Sequence, residues 1–226
     1  EIIVFFPNQG VSQVQERQMV TQEGDNTDVL AIEGNVDDAQ TGVKKIFNDR
    51  DFAEKLSAMG CKLSSANSIN IGRLVPQVAY YVYGYAKLVE RGQIKAGDPV
   101  NIVVPTGNFG NILAAYYAGK MGIPVKKFIC ASNKNKVLTD FFNTGVYDIN
   151  REFYLTNSPS MDILISSNLE RLLYHLSGND GEEISRLMTA LEQEKKYEVS
   201  DKIREGLKDF YGGFATVEDT NETIGK

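Results

Sequence analysis

Apolar residues along this chain fall into short blocks separated by turn-forming clusters, and the spacing switches between strand-like and helix-like periods. Ile2-Ile3-Val4-Phe5-Phe6 followed by Pro7-Asn8-Gln9-Gly10 predicts a buried strand and a turn. Ser12 with Gln15 has capping-box spacing and predicts a helix to about Gln22. A second strand is predicted over 29–33. Asp37 with Gln40 repeats the capping pattern ahead of a helix reaching Phe47, and a further helix over 52–59 closes at Gly60. After Asn67 the texture changes. Residues 69–90 are apolar and aromatic, with Pro76 marking a kink or a helix start. A strand over 100–105, a glycine-bearing loop over 106–111, a helix over 112–121 and a strand over 125–131 follow. From about Ser166 the pattern is mostly helical. This alternation predicts an α/β fold, a parallel sheet with helices on both faces. The chain should form two lobes that divide between Gly60 and Asn67, one over 1–63 and the other over 64–226.

Composition narrows the function classes. The 226 residues are 42% hydrophobic, enough for a substantial core, and carry a formal net charge of −6. Twelve acidic and seven basic residues lie from Asn179 onward, so most of the net charge sits there, as a solvated helical face would give. There is no basic footprint of a nucleic-acid binder. The longest apolar stretch, over 78–86, is too short to span a bilayer, and no targeting segment is visible. Cys61 and Cys130 stand in no metal-ligand or redox spacing and in apolar surroundings, which predicts two buried, reduced thiols and a cytoplasmic protein. The abrupt apolar opening without an initiator Met reads as a cut N-terminus.

The stretch Val103-Val104-Pro105-Thr106-Gly107-Asn108-Phe109-Gly110-Asn111 carries the chemistry. A strand running through a short glycine- and asparagine-bearing loop into a helix aims free backbone N–H groups and the helix dipole at one point. Glycine permits close backbone approach to an anion, and asparagine tolerates the angles of such a nest. No Gly-Lys-Ser/Thr follows, and the glycine spacing does not fit a dinucleotide fingerprint. An anion site and a tight turn whose glycines serve packing alone both fit this pattern.

Pro105-Thr106-Gly107-Asn108-Phe109-Gly110-Asn111 resembles the pyridoxal-phosphate (PLP) loop of the bacterial and fungal threonine synthases. Four other segments are similar to that family, in family order: 6–19 (Phe6-Pro7 through Gln18-Met19), 33–40, 67–77 (Asn67-Ser68-Ile69-Asn70-x-x-Arg73-Leu74-x-x-Gln77), and Ser158-Pro159-Ser160-Met161-Asp162-Ile163 with Ser167-Asn168-x-Glu170-Arg171. The resemblance implies a fold type II PLP enzyme with a small lobe and a large phosphate-binding lobe. Its reaction would be conversion of O-phospho-L-homoserine and water to L-threonine and phosphate. It implies that Gly107, Asn108, Phe109, Gly110 and Asn111 hold the PLP phosphate, mainly by backbone N–H groups, with Thr106 helping through its hydroxyl. Asn67, Ser68, Asn70 and Arg73 would line the substrate site. Arg73 would take the substrate phosphate as a planar, bidentate donor, or else form a structural ion pair.

Two family features are missing. The PLP-binding lysine of a Phe-Lys-Asp segment and the Ser-Gly-Asp-Thr-Gly carboxylate loop do not occur, so the expected catalytic set in this chain is empty and these residues alone should be inactive. PLP is expected in a longer enzyme. Alternatives are another fold type II lyase, a synthase-like phospholyase, or a stretch serving only binding or structure. Removal of preceding strands would expose a sheet edge and favour self-association. His175 is expected as a packing or surface residue, and Asp37-Asp38 and Glu182-Glu183 as helix-capping acids rather than metal ligands. Tyr80, Tyr81, Tyr83 and Tyr85 are expected in core and lobe-interface packing.

Overall fold

The computed structural model describes residues 2–8, 11, 13–34, 36–63 and 70–214. The chain divides into two compact units, 1–65 and 66–226. The class is the expected one, α/β with parallel sheets and flanking helices.

In the first unit β1 (Ile2–Pro7) and β2 (Thr27–Ile32) pair in parallel, from Ile2 against Thr27 to Pro7 against Ile32. The crossover holds α1 (Gln13–Val20), and α2 (Val36–Asn48) and α3 (Arg50–Ala58) follow β2. Parallel pairing demands such a crossover, because a tight hairpin returns the chain antiparallel. Asp37 lies inside the first turn of α2 rather than ahead of it. A better cap stands before α3, where the Asp49 carboxylate accepts from the Phe52 N–H at 2.9 Å. That helix ends where Gly60 takes φ 74°, a conformation that side chains resist. Cys61, just past this turn, is exposed and not buried as its neighbours suggested. Ser12 lies outside the described residues.

The second unit opens with α4 (Ile71–Leu74), a 3₁₀ turn (Val75–Gln77) containing Pro76, and α5 (Val78–Glu90). Then come β3 (Val100–Pro105), α6 (Gly110–Lys120), β4 (Val125–Ser132), α7 (Val137–Thr144) and β5 (Val146–Asp148). A 3₁₀ turn (Pro159–Met161), α8 (Leu169–Leu176), α9 (Gly181–Glu194), β6 (Lys196–Glu198), α10 (Asp201–Gly206) and β7 (Phe210–Phe214) complete it. The main sheet has the order β3-β4-β7 with every pair parallel, and β5 pairs antiparallel with β6.

Sequence reading left β7 inside a helical stretch. The Gly-Gly pair in its Phe-Tyr-Gly-Gly-Phe run dilutes the strand signal of the aromatics, but the strand fits because α7 closes on it. A Cβ on Gly212 would lie 2.4 Å from Thr139 Cα. The core gathers on the sheet face that carries Val104, Phe128, Cys130 and Phe210, together with Ile112 and Leu113 of α6, Phe141 of α7 and Leu172 and Leu173 of α8. Each such side chain contributes about 1.5–3 kcal/mol when fully buried. Phe210 stacks on Phe128 at 4.8 Å and on Phe142 at 5.6 Å between centroids. Tyr147 and Tyr197, partners across β5 and β6, stack at 5.2 Å. The tyrosines of α5 divide: Tyr81 packs half-buried against this core, whereas Tyr80 and Tyr83 are exposed, and α5 has no fully buried residue. The acidic pair Glu182-Glu183 sits in the first turn of α9, but the capping acid is Asp180, which accepts from both their N–H groups at 3.0 Å.

Candidate functional site

The end of β3 delivers the 106–109 loop to the start of α6. The Thr106 N–H bonds the Ala131 carbonyl at 2.9 Å, carrying the β3–β4 ladder one residue past the strand. Its buried hydroxyl donates back to the Val104 carbonyl at 2.7 Å. Thr106 is therefore used to end the strand. The Cys130 thiol is wholly buried. Burial pushes it up to about 11, and the neighbouring Thr106 and Ser132 side chains pull the other way.

Gly107 and Phe109 shape the turn. A Cβ at Gly107 would stand 2.5 Å from the Ser160 carbonyl oxygen, so the loop passes that backbone where only glycine fits. Phe109 adopts φ 63°, ψ 2° at the residue preceding α6. That left-handed geometry costs of order 1–3 kcal/mol for a non-glycine residue. The Phe109 ring, 1% exposed, packs against Phe142 and Phe210 at 5.9 and 6.2 Å, and this burial offsets the strain.

Carbonyls and N–H groups of the loop are used unequally. The Gly107 carbonyl accepts from the Ser166 hydroxyl at 2.7 Å. The Asn108 carbonyl accepts from the Asn168 N–H at 3.1 Å and from Asn168 Nδ2 at 2.9 Å. The Phe109 carbonyl accepts from the Leu113 N–H at 3.1 Å. Among the described residues, no acceptor meets the N–H groups of Gly107, Asn108, Phe109, Gly110 or Asn111. They stand at the positive end of an eleven-residue helix. Such an arrangement binds an oxyanion.

Asn111 is exposed on α6, and the Tyr81 hydroxyl of α5 donates to its Oδ1 and lies 3.2 Å from its carbonyl oxygen. Burial pushes the Tyr81 phenol up to about 12. Of the expected substrate residues, Asn67 and Ser68 lie outside the described residues. Asn70 caps α4 through Oδ1, which accepts from the Gly72 N–H at 2.8 Å. Arg73 is exposed on α4, its carbonyl bonded by Gln77 Nε2 at 2.8 Å. Leu74, wholly buried, anchors α4, which packs against α6.

Sequence reasoning gave no role at the loop to the groups that hold it: Ser160, Ser166, Asn168 and Tyr81, of which Tyr81 was expected only in packing. Ser158–Ile163 and Ser167–Arg171 stood out only as matching segments. Asp162 folds its own segment. Its Oδ1 accepts from Asn133 Nδ2 at 2.7 Å, Asn135 Nδ2 at 3.0 Å and the Thr156 hydroxyl at 2.8 Å, and its Oδ2 accepts from the Thr156 N–H at 2.8 Å. Elsewhere, a cavity of about 610 Å³ lined by Tyr117, Arg171, Tyr174, His175 and Met188 contains none of the loop residues. His175 is exposed there and its Nε2 pairs with the Tyr117 hydroxyl at 3.0 Å.

No protein-family model matches the sequence. Comparison with known proteins finds human threonine synthase-like 1, 48% identical over 209 residues, which covers 92% of this chain and 28% of that protein. Threonine synthase of Pseudomonas aeruginosa is 40% identical, over 99% of this chain and 46% of its own length. The crystal structure of PLP-bound threonine synthase from Brucella melitensis superposes with a TM-score of 0.83 at 42% identity, over 99% of this chain and 46% of that one. The chain spans less than half the length of each.

Proposed function

This chain is homologous to the threonine synthases over a stretch shorter than half their length, and we propose that it supplies the phosphate-holding part of a PLP site. The observation that carries this reading is the 106–111 loop, with its carbonyls tied down and its N–H groups without acceptors among the described residues. The phosphate end of PLP fits there: Gly107, Asn108, Phe109, Gly110 and Asn111 would hold it through backbone N–H groups. When bound, PLP supplies an electron sink for carbanion chemistry. The part of these residues is to fix and orient the cofactor, which they do without a lysine. The whole protein would convert O-phospho-L-homoserine and water to L-threonine and phosphate in the cytoplasm, on a fold type II scaffold of small and large lobes. Asn67, Ser68, Asn70 and Arg73 would receive the substrate, with the Arg73 guanidinium on its phosphate. The 48% identity to human threonine synthase-like 1 favours a second reading, a synthase-like phospholyase using the same loop on a related phosphorylated substrate.

Titration of the 226-residue chain with PLP tests the site. The expected result is saturable binding that inorganic phosphate competes away and that borohydride does not make permanent. Gly107→Ala should abolish it, since the added Cβ meets the Ser160 carbonyl oxygen at 2.5 Å. These residues alone should release no phosphate from O-phospho-L-homoserine. Binding unaffected by Gly107→Ala, or measurable turnover, would overturn the assignment.

A further inference from the structure

We infer that Ser166 and Asn168 are positioning residues for the anion loop, setting the direction of its N–H groups through the carbonyls on the same peptide units. The inference rests on the reading of residues 106–111 as a phosphate site and adds what aims it.

A trans peptide unit is planar, with its C=O and N–H pointing in opposite directions. Anchoring the carbonyl of one residue therefore fixes where the N–H of the next points. The Ser166 hydroxyl on the Gly107 carbonyl, at 2.7 Å, sets the Asn108 N–H. Asn168, with its N–H at 3.1 Å and Nδ2 at 2.9 Å on the Asn108 carbonyl, sets the Phe109 N–H. The Leu113 N–H on the Phe109 carbonyl, at 3.1 Å, sets the Gly110 N–H by ordinary helix geometry. Three successive donors are thus oriented by three carbonyl anchors, and two of the anchors come from a segment almost sixty residues further along the chain.

Those two anchors are themselves held. Asn168 is wholly buried, and Arg171 Nη1 donates to its Oδ1. With the cation on Oδ1, the amide must turn Nδ2 toward Asn108. Ser166 donates its N–H to the Tyr147 hydroxyl at 2.9 Å, and that hydroxyl donates to the Leu164 carbonyl at 2.9 Å. Tyr147 is 1% exposed and stacked on Tyr197, so the Ser166 anchor is referred to the core. The Asp162 hub holds the preceding turn, which presents the Ser160 carbonyl to Gly107.

The test uses the ¹⁵N-labelled 226-residue chain with inorganic phosphate as the probe. Ser166→Ala should displace the Asn108 N–H resonance and weaken phosphate binding about three- to ten-fold, the effect of one lost hydrogen bond. Ser166→Thr, which keeps the hydroxyl, should restore both. Asn168→Asp removes the Nδ2 donor and should displace the Phe109 N–H resonance more than that of Asn108. Resonances of α9 report whether each variant remains folded. Should Asn168→Asp unfold, the Ser166 pair carries the test. Folded variants whose Asn108 and Phe109 resonances stay in place would overturn the inference. Equal loss in Ser166→Ala and Ser166→Thr would do the same. A wild-type chain that ignores phosphate sinks the phosphate reading alone, because the resonance shifts of the variants still test the positioning.

Discussion

Among single residues, Cys130 couples the loop to the core most directly, since its thiol lies wholly buried beneath Thr106. Burial raises its pKa from 9.0 to about 11, so the fold favours the protonated thiol. A group raised in this way contributes its full stability below the unfolded value and loses that contribution as pH climbs through the folded one. Urea titrations should therefore show wild type losing about 2 kcal/mol more than Cys130→Ala between pH 9 and pH 11. A constant gap between the two across that window would refute the assignment. In the native chain at pH 8, a thiol reagent should modify the exposed Cys61 and leave Cys130 until denaturant is added. At this scale the loop was legible because glycine and asparagine punctuate a strand-to-helix junction. Its anchors were not: Ser166 and Asn168 are ordinary polar residues until folding brings them against Gly107 and Asn108. Cys61 was misjudged for a related reason, because apolar neighbours in sequence do not bury a residue just past a helix-ending glycine.

At the scale of elements, β3, β4 and α6 could be read from the chain within a residue or two, since each strand carries a short apolar block (Ile102-Val103-Val104, Phe128-Ile129-Cys130-Ala131) bounded by turn or helix signals. β7 could not, because what makes it a strand is its pairing along β4 and the approach of α7. The two glycines in it do different things. Gly212 leaves the space that the Thr139 backbone occupies, whereas a Cβ on Gly213 would meet nothing within 4 Å. Gly212→Ala should thus destabilise the chain by about 1–3 kcal/mol through overpacking, while Gly213→Ala stays near neutral. Urea midpoints of the two variants decide it; equal midpoints would mean that α7 does not close on β7 as described.

Taken whole, the second unit buries one face of its main sheet far better than the other. Val104, Phe128, Cys130 and Phe210 are buried on one side, while Val103 is 61% exposed and Tyr211 42% exposed on the other. β3 and β7 are the sheet's edges among the described strands, and Tyr80 and Tyr83 of α5 are also exposed. Free strand edges beside apolar surface favour pairing with another copy of the chain. The 226-residue polypeptide should accordingly show an apparent mass that rises with concentration in light scattering. Val103→Lys places a charge on the exposed face of the edge strand β3 and should lower that rise without changing the unfolding free energy by more than about 0.5 kcal/mol, as surface substitutions do. A monomer at every concentration would show that the exposed face is inert. A rise that Val103→Lys leaves unchanged would place the association elsewhere, with the α5 tyrosines the next surface to charge.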